Sequence, residues 1–244
     1  MPAHAMRVSP MVAEMSSKGS GAVARIEVQN LNPTNLPFET RITRIDYDDK
    51  GNMTETPADG DFLVFPPQGV LPANARQVVR LQWVGAGDIP ASRGYYMSVN
   101  QLPVALDPQA PATAGAQVQI VYHMKALITV APPGALPKVE LVSATPTEID
   151  PPPAADGAAA GAKLPGVEVT VRNTGSRHAM MSGAKWTIEG RGIDGKPVTV
   201  ELDQAALNRD IGVGYLAALN GQRTFRVPTG VAFGSGPITV RFAR

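Results

Sequence analysis

Between Ala116 and Pro132 the sequence reads AQVQIVYHMKALITVAP. Ala116, Val118, Ile120, Tyr122, Met124, Ala126, Ile128 and Val130 fall on one side of a period-two repeat. Gln117, Gln119, Val121, His123, Lys125, Leu127 and Thr129 fall on the other. A strand places alternate side chains on opposite faces, so strict period two predicts β-structure. At about 3.3 Å per residue such a strand would span roughly 50 Å, whereas ordinary strands run to about five or six residues. An apolar strand of that length needs neighbours, because a free apolar edge is an aggregation hazard.

The rest of the chain repeats the same grammar in shorter phrases. In the first half these are MRVSPMVAEM, AVARIEVQN, FETRITRIDYD, DFLVF, RQVVRLQWV and GYYMSVNQL. With the long segment they make seven strands, separated by turn chemistry such as Lys18-Gly19-Ser20-Gly21, Asn32-Pro33 and Pro66-Pro67. That number of short strands in about 130 residues predicts an immunoglobulin-like sandwich. The Pro/Gly-rich segment APPGALPK, Ala131 to Lys138, marks a domain boundary. After it VELVSAT, GVEVTVRN, AKWTIEG, KPVTVEL, RTFRVP and PITVRFAR predict a second, smaller β-sandwich. The expected domains are residues 6–132 and 138–244. DQAALNRDIGVGYLAALNG alone has helical character, which its glycines weaken. Two segments, Ala105 to Gln117 and Asp150 to Gly166, have compositions that cannot pack a core and read as surface loops.

Bulk composition removes several functions. Of 244 residues, 43% are hydrophobic and 18% charged, enough to bury a core. The net charge of +1, without acidic or basic blocks, gives no electrostatic reason to expect nucleic acid or an anionic membrane as partner. No apolar run is long enough for membrane insertion. The absence of cysteine excludes disulfides and thiolate metal sites. Ala3-His4-Ala5 has the small-x-small form that precedes signal-peptidase cleavage, so the N-terminus reads either as the last residues of a signal peptide cut near Ala5 or as a chance occurrence.

Catalytic chemistry finds little support. His4, His123 and His178 are not at metal-ligand spacing, and each reads as a surface histidine. There is no GxSxG and no phosphate-cradling loop at a strand–helix junction. DYDDKGN, Asp46 to Asn52, lacks the closing glutamate of an EF-hand and reads as a hairpin tip. Neither catalytic residues nor metal nor cofactor are expected, and the protein is read as a non-enzyme.

Taken in order, the first-domain motifs resemble the PapD-like periplasmic pilus (fimbrial) assembly chaperones. VSP stands in the first strand and VQNLN closes the second. FLVFPPQGVLPANARQVVRLQW is similar to the family's strand ending in Pro-Pro, turn and V-R-L strand. SRGYYMSVNQLPV, a variable loop and a long alternating strand ending in Pro follow. The resemblance covers most of Val8 to Pro132; the second domain matches only in architecture. It implies an all-β protein of two immunoglobulin-like β-sandwich domains in an L-shaped arrangement, located in the periplasm. It also implies a partner, a pilus subunit stabilised by donor-strand complementation and delivered to an outer-membrane usher. Aligned from Pro132 without gaps, the family's donor side chains fall on Val118, Ile120 and Tyr122. Met124 to Val130 would then cover the protein's own core. Where the family holds the subunit's terminal carboxylate with an arginine and a lysine, this chain has Val12 and Leu127. Lys125, Arg7 and Arg93 are the remaining candidates for that anchor, with an ordinary solvated lysine the other reading of Lys125. Ala131 and Gly94 occupy two places of the family's interdomain charged network. A free chaperone of this kind must hide its donor face, which makes self-association a further expectation.

A secreted β-sandwich module, for example one that binds carbohydrate, is the alternative. It would need an exposed aromatic platform, and Trp83 and Trp186 read as core residues.

Overall fold

The computed structural model describes residues 6–48, 52–103, 121–151 and 161–243. Two compact units emerge, one of Met1–Asp46 and Met53–Gly134, the other of Ala135–Arg244 with Tyr47–Asn52.

The strands of the first unit are β1 (Met6–Ser9), β2 (Val12–Ser16), β3 (Val23–Asn30), β4 (Leu36–Tyr47) and β5 (Met53–Pro57). They continue with β6 (Phe62–Phe65), β7 (Gln68–Leu71), β8 (Arg76–Trp83), β9 (Arg93–Gln101) and β10 (His123–Ala131). One sheet has the order β1-β3-β8-β6, and the other β2-β10-β9-β4-β5 with β7 also on β4. Their inner faces share one core that includes Ile26, Val28, Phe38, Ile42, Leu81, Met97 and Ile128. Phe62 and Trp83 from one sheet meet Tyr95 from the other, with ring centroids 5.0–5.8 Å apart. The Tyr95 hydroxyl donates to Asp61 Oδ2 at 2.8 Å. Burial and this carboxylate push the phenol's pKa well above its ordinary value.

Two sequence expectations change here. MRVSPMVAEM is not one strand: β1 pairs with β3 and β2 with β10, so the chain crosses between sheets at Pro10. Pro has no N–H to donate to a ladder, which makes it a natural crossing point. In addition, β5 and β7 join the seven strands expected. Their sequences, MTETP and QGVL, are too polar or too short to alternate clearly.

The second unit is built from β11 (Val139–Ile149), β12 (Leu164–Asn173), β13 (Ala179–Met180), β14 (Lys185–Arg191) and β15 (Pro197–Leu202). Helix α1 (Gln204–Ile211) follows, then β16 (Tyr215–Leu216), β17 (Gly221–Pro228) and β18 (Thr239–Ala243). Sheets β11-β12-β17 and β15-β14-β18 enclose a core centred on Trp186, Ile188, Val169 and Val227, with β13 and β16 as a small third pair. Asp203 caps α1 by accepting the Ala206 N–H at 2.8 Å, and the helix ends at Gly212 with φ 61°. The glycines of that stretch end the helix rather than prevent it. His178 is not a surface residue: it is 3% exposed and its ring stacks on Tyr215 at 5.7 Å.

Both units pin a strand end with a buried asparagine. Asn30 Nδ2 donates to the carbonyls of Thr34, Leu71 and Pro72 at 2.8–3.1 Å. Asn173 Nδ2 donates to those of Arg177 and Ala217, while its Oδ1 accepts from Lys138 and Gly175 N–H groups. A side-chain amide suits this role because it both donates and accepts next to a turn. Among the described residues no helix is long and apolar enough to cross a membrane.

Candidate functional site

Strand β10 is the candidate site because its two halves differ in their neighbours. Along its whole length it runs antiparallel to β9, from His123 opposite Asn100 to Val130 opposite Arg93. On its other side, β2 pairs in parallel only from Leu127 opposite Val12 to Ala131 opposite Ser16. One further bond, from the Leu127 N–H to the Met11 carbonyl at 2.9 Å, ends that ladder. Continuing β2 backwards would set Pro10 beside Lys125, but there the chain leaves for the other sheet. Among the described residues, His123 to Ala126 therefore has a strand on one side only.

The open half keeps its side chains in the predicted phase. Met124 and Ala126 face the first core, and Ile128 and Val130 continue that face in the covered half. Leu127, Thr129 and Ala131 on the opposite face are also buried. Tyr122 extends the pairing by one residue. Its carbonyl accepts the Gln101 N–H at 2.9 Å, its own N–H donates to Gln101 Oε1 at 3.3 Å, and it packs against the rim of the core. Val118 and Ile120 lie outside the described residues.

The three anchor candidates are dispersed. Lys125 Nζ donates to both carboxylate oxygens of Glu55, at 2.7 and 2.9 Å, and lies 5.5 Å from the centre of the Tyr96 ring. Lys125 holds the Glu55 carboxyl below its ordinary pKa, helped by the Thr43 hydroxyl at 2.8 Å. Arg93 opens β9 opposite Val130, so it stands about 17 Å along the strand from Lys125. Arg7 belongs to β1, in the other sheet, opposite Gln29. Val12 and Leu127 do come together, as direct partners of β2 and β10. The two positions that the resemblance matches to a charged pair are thus adjacent and both apolar.

His123 Nδ1 lies 3.1 Å from Asn100 Oδ1 on the outer face of the sheet. Trp83 and Trp186 are 5% and 0% exposed, so neither offers an aromatic platform for a sugar. Among the described residues no group of three or more His, Asp and Glu side chains could hold a metal ion.

No protein-family model matches the chain, and no curated protein matches it. Solved structures do. The class 5 fimbriae chaperone CfaA is 12% identical with a TM-score of 0.55, the match covering 98% of this chain and 99% of that one. A structure of the Salmonella enterica SafA pilin in complex with the SafB chaperone matches at 13% identity and a TM-score of 0.54, over 98% and 96% of the two chains. The Escherichia coli chaperone DraB matches at 14% identity and a TM-score of 0.52, over 99% and 96%. The chain has the all-β, two-domain fold of the fimbrial chaperones, as the PapD-like resemblance implied.

Proposed function

We propose that this protein is a non-enzymatic periplasmic chaperone of a pilus or fimbrial subunit, acting by donor-strand complementation. The observation that carries this reading is the half-covered β10. Its open edge, His123 to Ala126, leads directly back into the segment bearing Val118, Ile120 and Tyr122 on alternate positions. A subunit that lacks a strand exposes unpaired backbone groups and an apolar groove. An added strand satisfies the first while alternate side chains fill the second, which is β-augmentation, of which chaperone–pilin pairing is an established case. Each large apolar side chain so buried contributes about 1.5–3 kcal/mol, less the cost of ordering the donor segment.

Of the anchor candidates, Lys125 alone lies on the open half. To hold a subunit carboxylate it would exchange Glu55 for the incoming group. The chaperone would then deliver its subunit to an outer-membrane usher, and its precursor would carry a signal peptide ending near Ala5.

Co-expression with a fimbrial subunit tests the reading. A soluble one-to-one complex is expected, together with its loss in the Val118→Asp, Ile120→Asp double variant. A complex that survives both substitutions would remove the donor-strand assignment.

A further inference from the structure

The second sandwich has a cavity to which strand β10 contributes nothing. It measures about 390 Å³, and its walls include Leu136, Val139, Met180, Met181, Ala184 and Phe242. Val139 opens β11 and Phe242 belongs to β18, each the last strand of its sheet, so the cavity lies between two sheet edges. Among the described residues no charged side chain lines it. Leu136, in its wall, is 72% exposed, which opens the cavity to solvent. Protein interiors pack close to crystal density, so a space of this size is not an ordinary packing gap. Apolar walls give water few hydrogen bonds, so water held there is readily displaced. Ligand sites are concave, mostly apolar, and begin at about 300 Å³.

We propose that this cavity binds a small uncharged aromatic molecule of one or two fused rings. The preference for a ring comes from what stands behind the wall. Phe225, Trp186 and Phe242 form a series of edge-to-face contacts, with centroids 5.9 and 5.1 Å apart and planes inclined at 72° and 78°. Phe242 ends that series in the cavity wall. Aromatic pairs favour this geometry because the positive edge of one ring meets the negative face of the other. A ligand ring against Phe242 therefore continues the series. Met180 and Met181 add thioether sulfurs, which favour contact with ring edges, on unbranched side chains that adapt to the ligand's shape. The backbone fixes Met181: its carbonyl accepts the Trp186 indole N–H at 3.0 Å, and its N–H donates to the Gly214 carbonyl at 2.9 Å. Charge is selected against, because an ion buried on this wall would have no partner. The inference goes beyond subunit binding and does not rest on it.

The test titrates 2-naphthol into the full chain labelled with 13C-methyl methionine and follows the methyl signals by NMR. Of the nine methionines, Met180 and Met181 should show saturable ring-current shifts, their signals identified by their loss in Met180→Leu and Met181→Leu. Decahydro-2-naphthol, the saturated counterpart, should bind at least about fivefold more weakly, since it lacks the ring's contacts with Phe242 and the sulfurs. Ala184→Phe fills the cavity and should abolish the shifts while melting no lower than the parent. If that variant does not fold, Phe242→Leu decides. It keeps an apolar wall but ends the ring series, and should bring the two probes to within about twofold of each other. The Val118→Asp, Ile120→Asp variant, which tests subunit binding, should bind 2-naphthol as the parent does. The inference is overturned by shifts that do not saturate or that spread over the other methionines. It is equally overturned if the saturated probe binds as tightly as 2-naphthol, or if folded Ala184→Phe binds with the parent's affinity.

Discussion

The two outer faces of the first sandwich cover the same core but treat charge in opposite ways. On the β2-β10-β9-β4-β5 sheet, Lys125 meets Glu55, Thr43 supports Glu55, and Arg41 meets Glu39 at 3.1 Å. On the β1-β3-β8-β6 sheet, Arg80 meets Arg25 across the strand register. The first face closes its charges internally, which reduces what it offers to a partner. The second leaves them open, which costs stability and retains binding potential. The contrast also bears on Lys125. As an anchor it starts from a bidentate internal partner, so any incoming carboxylate must displace Glu55.

Four changes break or sharpen the comparison, from the largest effect to the smallest. Ile128→Ala empties a fully buried position beneath both faces and should cost about 2–5 kcal/mol in denaturant unfolding. Hydrogen exchange should accelerate in both sheets; acceleration in one alone would mean the faces do not share a core. Tyr95→Phe removes the hydroxyl that meets Asp61, and should cost about 1–2 kcal/mol in the same measurement.

Glu55→Gln comes next, at below about 1 kcal/mol near neutral pH, since both groups are partly solvated. The sign of its pH dependence is fixed. A carboxylate whose folded pKa is depressed contributes stability that is present above its ordinary value of 4.5 and lost as pH falls through the lower folded value. Parent and variant should therefore differ at pH 7 and converge in acid. A difference that persists in acid would locate the effect in packing rather than charge.

Arg80→Gln is the smallest change and has the opposite sign. Relieving the opposition with Arg25 should gain a few tenths of a kcal/mol. A loss of stability would show that the arginine is structural, and would remove the contrast between the faces.

Much of the fold was legible because strand alternation is a local signal. The alternate residues Met124, Ala126, Ile128 and Val130 read as core-facing, and they lie in the core or pack against it. The unread parts are those that depend on pairing. MRVSPMVAEM alternates acceptably across Pro10, so nothing local shows that its halves belong to different sheets. In sequence Arg7 is indistinguishable from Lys125 and Arg93 as an anchor candidate, since charge type is visible there but sheet membership is not. The turn RNTGSR suggested an exposed His178, whereas Tyr215, distant in sequence, covers it. The arginine row is invisible in the sequence for the same reason. Arg25 and Arg80 are 55 residues apart, and only the register of β3 on β8 brings them face to face.

By itself the sequence determined an all-β chain, the side of each clear strand that turns inward and the apolar segment that leads into β10. Those properties follow from side-chain period and turn chemistry, which act between near neighbours. The tertiary structure decided which half of β10 has two neighbours, which lysine is already paired and which arginines are left opposed. Those depend on contacts between residues far apart in the chain, where strand register, and not composition, sets who meets whom.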